Sequence, residues 1–142
     1  MSSIGGSGFG RGPVPGGRQS GSPELSPRTA RLRLRTGPAQ GREWSLSALR
    51  SEVGRSDPPD FAPEIDLTPC ELGSDYAVSR RHAELYWAEG KLWLADLGSR
   101  NGTLLRGSLL AGPGPRQPSA PAEVKAGDVI SFANLECEVV VG

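Results

Sequence analysis

No stretch of ten or more residues in this chain carries the 3.6-residue apolar period of an amphipathic helix, whereas two-residue alternation recurs throughout in short runs. Arg31-Leu32-Arg33-Leu34-Arg35 puts two Leu on one face and three Arg on the other. Trp44-Ser45-Leu46-Ser47 and Ile65-Asp66-Leu67 alternate in the same way. Ala83-Glu84-Leu85-Tyr86-Trp87 and Lys91-Leu92-Trp93-Leu94-Ala95-Asp96-Leu97 flank Ala88-Glu89-Gly90, a hairpin turn in which Gly supplies positive φ. Thr103-Leu104-Leu105, Val129-Ile130-Ser131-Phe132 and Cys137-Glu138-Val139-Val140-Val141 complete the set, with turns at Gly98, Asn101-Gly102 and Gly127-Asp128. Residues 111–121 hold two Gly and four Pro among eleven, so they form a loop and not an interior strand. Short strands with turns roughly every eight to twelve residues predict an all-β sandwich.

Composition divides the chain unevenly. Gly and Pro together make 33 of 142 residues, about twice their usual share of roughly 12%. Residues 1–30 alone contain 8 Gly, 4 Pro and 6 Ser, and such a stretch buries too little apolar surface to offset its ordering entropy. We therefore expect a flexible leader or linker over 1–30 and one compact domain over 31–142.

Sixteen basic and sixteen acidic residues cancel, which argues against a protein made to coat nucleic acid or an anionic membrane. No apolar run approaches the ~20 residues that span a bilayer, and the N-terminus lacks a signal-peptide core. The expectation is a cytoplasmic protein, either a monomeric domain or a soluble piece of a larger chain. Cys70 and Cys137 are far apart and His82 is the single histidine, short of the four close ligands of a structural zinc site, so no metal and no cofactor are expected. Trp44, Trp87 and Trp93 suggest packing and cross-strand pairing before a base-stacking platform.

Chemistry concentrates at three turns. Val53-Gly54-Arg55-Ser56 places an Arg just past a strand end. Val78-Ser79-Arg80-Arg81-His82 places a hydroxyl, two guanidinium groups and the histidine before a strand. Leu97-Gly98-Ser99-Arg100-Asn101-Gly102-Thr103 adds an Arg and an Asn. Loops cluster at the ends of a sandwich, so the three turns can converge. Arg forks match phosphate or carboxylate oxygens bidentately and a Ser hydroxyl adds a donor, a set suited to recognising a phosphate and not to hydrolysing it. No catalytic group is expected.

In order and spacing, Gly54-Arg55, Ser79-x-x-His82 and Ser99-Arg100-Asn101-Gly102-Thr103 resemble the forkhead-associated (FHA) domain in its bacterial type, a phosphothreonine-peptide reader. Ile65-Asp66-Leu67 and Ala126-Gly127-Asp128-Val129-Ile130 fit the same family, and the likeness spans roughly residues 31–141. It implies a sandwich of about eleven short strands that reads its peptide with loops at one end. It further implies that Arg55 and Ser79 hold the phosphate oxygens and that Arg80 gives a second phosphate or peptide contact. Asn101 would bind the peptide main chain, and Arg100 would help choose neighbouring residues. His82 would brace the Ser79 loop, Gly102 would supply an unusual φ, and Gly54 would serve backbone geometry. Arg81 is expected to be scaffold, and the 111–121 insertion to run away from the reading edge. The implied partner is a protein marked by a Ser/Thr kinase. The rivals are an FHA-fold scaffold that binds without phosphate, an Arg-rich nucleic-acid binder and, last, an enzyme.

Overall fold

The computed structural model describes residues 24–142, so most of the expected leader, residues 1–23, lies outside the described residues. The chain forms β1 (Ala30–Leu34), β2 (Glu43–Ser45), β3 (Arg50–Gly54), β4 (Ile65–Asp66), a 3₁₀ turn (Thr68–Cys70) and β5 (Ala83–Ala88). It continues through β6 (Lys91–Asp96), β7 (Thr103–Leu105), β8 (Ser108–Leu109), β9 (Ala122–Val124), β10 (Val129–Phe132) and β11 (Leu135–Val141). These make a six-stranded sheet, β2-β1-β11-β10-β7-β8, facing a five-stranded one, β4-β3-β5-β6-β9. The expected all-β sandwich of about eleven strands is what the chain adopts.

Alternation decides which face each strand buries. In β1 the residues Ala30, Leu32 and Leu34 point into the core, while Arg31 and Arg33 face outward and share Glu43 of β2 at 2.9 and 2.7 Å. Leu85, Leu92 and Leu94 meet Ile130, Phe132, Leu135 and Val139 across the two sheets. Leu25, ahead of β1, also packs against this core. Trp87 pairs with the buried Leu92, whereas Trp93 pairs with Tyr86 on the outer face. The two indoles therefore lie on opposite faces and cannot form one stacking platform.

Strand direction sets where the loops gather. Gly54 ends β3, Ala83 begins the antiparallel β5, and Asp96 ends the β6 that pairs with it. The start of β9 falls at the same end, because Ala122 pairs with Leu94. The 111–121 segment that leads into β9 therefore returns to this end, contrary to the expectation that it runs away from the reading loops. It is fixed there by Ser119 N–H donating to Asp96 O (2.9 Å) and Asp96 N–H donating to Ser119 Oγ (3.0 Å). β1 starts at the opposite end, where Ala30 pairs with Val141.

Candidate functional site

Gly54 is where the site begins. A Cβ built on it would lie 1.8 Å from the Arg80 carbonyl oxygen, so only glycine lets β3 run this close to the 76–82 loop. One residue on, Arg55 N–H is shared between the Ser79 and Arg80 carbonyls, each at 3.2 Å. Its Nε donates to Val78 O at 3.2 Å and its guanidinium stacks 4.5 Å from the Tyr76 ring centre. Backbone and side chain of Arg55 are thus both fixed, while its two Nη groups make no hydrogen bond among the described residues.

The 79–82 turn supplies four polar residues with different fates. Ser79 Oγ accepts from Arg100 N–H at 3.0 Å, which leaves its own O–H to donate elsewhere. Arg80 pairs with Asp57 at 2.9 Å on the surface. Arg81 pairs with Glu52 at 2.6 Å and lies over Phe61, which is scaffold work. His82 is fully buried: its Nδ1 accepts from Ser79 N–H at 3.1 Å, so Nε2 carries the proton that it donates to Gly102 O at 2.8 Å. One neutral imidazole thereby ties the 79–82 turn to the 97–102 turn.

The third turn is ordered by a carboxylate. Buried Asp96 accepts from Gly98 N–H (2.9 Å), Ser99 N–H (3.0 Å), Ser99 Oγ (2.6 Å) and Thr103 Oγ1 (2.7 Å). Ser99 Oγ in turn accepts from Gly102 N–H at 2.9 Å, with Gly102 at φ +90. Arg100 Nη2 donates to Tyr76 O (2.8 Å) and Asn101 Nδ2 to Ala77 O (2.7 Å), so both side chains lean toward the 76–80 loop.

These turns enclose a cleft of 530 Å³ whose walls include Arg55, Ser79, Arg80, Arg81, Arg100 and Arg116. Asn101 and Gly102 line an adjoining hollow of 260 Å³, to which Arg100 and Arg116 also contribute. Five arginines and one acidic residue, Asp60, thus line one cleft of a chain with no net charge. Such focusing draws anions far more strongly than the whole-molecule balance suggests.

The sequence model of the FHA-domain family matches residues 51–133. The chain belongs to the FHA-domain family. A curated relative, an oxoglutarate dehydrogenase inhibitor of Corynebacterium efficiens, is 29% identical over 123 residues, covering 87% of this chain and 73% of its own. Among solved structures, one described by phosphothreonine-dependent FHA domain interactions is 28% identical, with a TM-score of 0.58 over 80% of this chain and 97% of that one. The kinase-interacting FHA domain of an Arabidopsis kinase-associated protein phosphatase is 27% identical, with a TM-score of 0.62 over 80% and 93%.

Within this FHA domain, sequence reasoning missed Tyr76, Asp96 and Arg116. Asp96-Leu97-Gly98 carried a signal, since an Asp side chain commonly accepts from the N–H two residues on. Tyr76 and Arg116 had none, because each meets the site only through folding. The fold also gives the domain an acid-sensitive joint at His82. Burial pushes the imidazole's pKa below its ordinary 6.5, against the opposing pull of the Gly102 hydrogen bond and of Asp96. The unfolded chain takes its proton near 6.5 and the folded one only at lower pH, so stability is complete above about 6.5 and is lost as pH falls below it. Without peptide, melting temperature should decline between about pH 6.5 and 5, and His82→Asn, though less stable throughout, should be flat there. Equal slopes for the two proteins would remove the joint.

Proposed function

We propose that this FHA domain docks onto phosphothreonine-containing segments of partner proteins marked by a Ser/Thr kinase, in the cytoplasm, as an interaction module without catalytic activity. The observation that carries this reading is the juxtaposition of Arg55 and Ser79. A fixed guanidinium with free Nη groups stands beside a hydroxyl whose lone pair is already engaged and whose proton is available. Both donate toward the same cleft, which suits a tetrahedral dianion with three acceptor oxygens.

Two further features favour recognition over chemistry. His82 lies three residues from Ser79, the arrangement that would suggest an activated nucleophile, yet its Nδ1 is engaged by the Ser79 backbone N–H and not by the hydroxyl. The Arg80–Asp57 pair is exposed, and such pairs contribute only about 0–1 kcal/mol. A phosphate dianion in the cleft can therefore take Arg80 from Asp57 at little cost.

Anisotropy with one peptide in phosphothreonine, Glu and unmodified forms tests this at about pH 7.5 and about pH 5.5. Only the phosphothreonine peptide should bind, and its affinity should weaken as the phosphate loses its second charge near pH ~6. Glu offers one charge and two coplanar oxygens, which leaves a donor facing nothing. Comparable binding of all three forms at both pH values would replace this reading with the phosphate-independent scaffold.

A further inference from the structure

Arg116 is the fifth arginine of the cleft, and it reaches it from a segment that the phosphate reading does not use. Three observations show that its position is built. The segment is anchored to the end of β6, just before the 97–102 turn, through the paired Ser119–Asp96 hydrogen bonds. At the point of contact a Cβ on Gly98 would lie 2.3 Å from the Arg116 carbonyl oxygen, so residue 98 must be glycine for the loop to seat. Gly112 packs equally closely on the Gln117 and Pro118 carbonyls, at 2.4 Å, which closes the loop on itself.

A further observation is Arg116's own backbone. It sits at φ +59, a left-handed conformation that glycine adopts freely and an L-residue only at a cost. Glycines stand nearby at 112 and 114, so the loop is rich in the residue that would fit without strain, yet it places an arginine at this position. At this turn Arg116 lines the wall shared by the cleft and the Asn101 hollow.

The other guanidinium groups have partners. Arg80 is paired with Asp57, Arg81 with Glu52, and Arg100 holds Tyr76 O, while Arg55 is stacked on Tyr76 beside Ser79. Arg116 is exposed and makes no hydrogen bond or ion pair among the described residues. We propose that Arg116 is a specificity-determining residue that engages a second anionic group, a carboxylate or a second phosphate, on the same peptide as the phosphothreonine. This rests on the phosphopeptide reading and adds a requirement to it: the preferred ligand carries two negative groups a short distance apart.

The test uses the full chain, a phosphothreonine peptide with Ala and Gly flanks, and two derived sets. One set carries a single Glu and the other a single phosphoserine, at each position within about four residues of the phosphothreonine, a reach of about 14 Å. In anisotropy at low salt, at least one position should bind wild type about fivefold tighter than the neutral peptide, and more with phosphate than with Glu where both fit. Arg116→Gly, which keeps the left-handed turn, and Arg116→Gln should lose that gain, whereas the neutral peptide, which feels only the loss of one charge from the cleft's field, should weaken much less. Arg55→Ala should lose all the peptides. A gain with Glu assigns the subsite to acidic side chains, and a gain with phosphoserine alone assigns it to a second phosphate. No gain at any position, a gain that survives in Arg116→Gly, or equal weakening of the neutral peptide would overturn the proposal. Failure of the neutral peptide to bind wild type would instead sink the phosphothreonine reading and this proposal with it.

Discussion

Gly54→Ala should strip the domain of peptide binding and lower its melting temperature by on the order of 10–20 °C. The new methyl would stand 1.8 Å from the Arg80 carbonyl oxygen, about half a normal contact distance, and that neighbour is backbone that no rotamer change can move aside. Either β3 or the 79–82 turn must shift. The hydrogen bonds across this seam, Arg55 N–H to the Ser79 and Arg80 carbonyls and His82 N–H to Val53 O, feel that shift, as does Leu67 N–H to Gly54 O on the β4 side. Overpacking costs about 1–3 kcal/mol and each strained hydrogen bond roughly another 1 kcal/mol, a large part of a stability of about 5–15 kcal/mol. The same shift separates Arg55 from Ser79, so affinity falls with stability. Gly73→Ala is the control, since its Cβ meets nothing within 4 Å and its φ is ordinary. If the two variants melted together and bound peptide alike, the close approach at Gly54 would not be what assembles the cleft.

The seam at Gly54 also shows what a sequence can and cannot disclose. Strand faces were legible because alternation is local: Leu32 and Leu34 in β1, or Leu92 and Leu94 in β6, declare their inward side within a few residues. The convergence of the three turns followed from the family likeness and from how loops gather in a sandwich. What escaped was contact between distant segments. Arg55 stacks on a tyrosine 21 positions later, and Asp57, only two residues from Arg55, pairs with Arg80. The 111–121 segment declared itself a loop by its prolines, but its course depends on Ala122 pairing with Leu94, which no local pattern encodes. Arg116 enters the site only through that pairing.

Arg55→Ala should abolish measurable phosphopeptide binding while leaving the domain folded, and Arg55→Lys should restore little of it. Removing one charge-assisted partner of a phosphate costs about 1.5–3 kcal/mol, a factor of roughly 10–150, and a phosphate oxygen left without its donor adds to that. Stability should change much less, because the side chain gives the fold one hydrogen bond to Val78 O and one stacking contact of about 0.5–1 kcal/mol. Lys separates charge from shape. It keeps the positive charge, yet its ammonium is a single point on a flexible stem, without the Nε that anchors on Val78 O or the plane that lies on Tyr76. If long-range attraction alone drew the phosphate, Arg80, Arg81, Arg100 and Arg116 would supply ample field without Arg55, and both variants would bind nearly as wild type does. A fixed fork, in contrast, predicts that Lys recovers only a small part of the lost affinity, with melting temperatures within a few degrees of wild type for both variants. Calorimetry with one phosphothreonine peptide decides between them: wild-type affinity in Arg55→Lys would mean that the cleft works by charge, and the geometric assignment of Arg55 would fall.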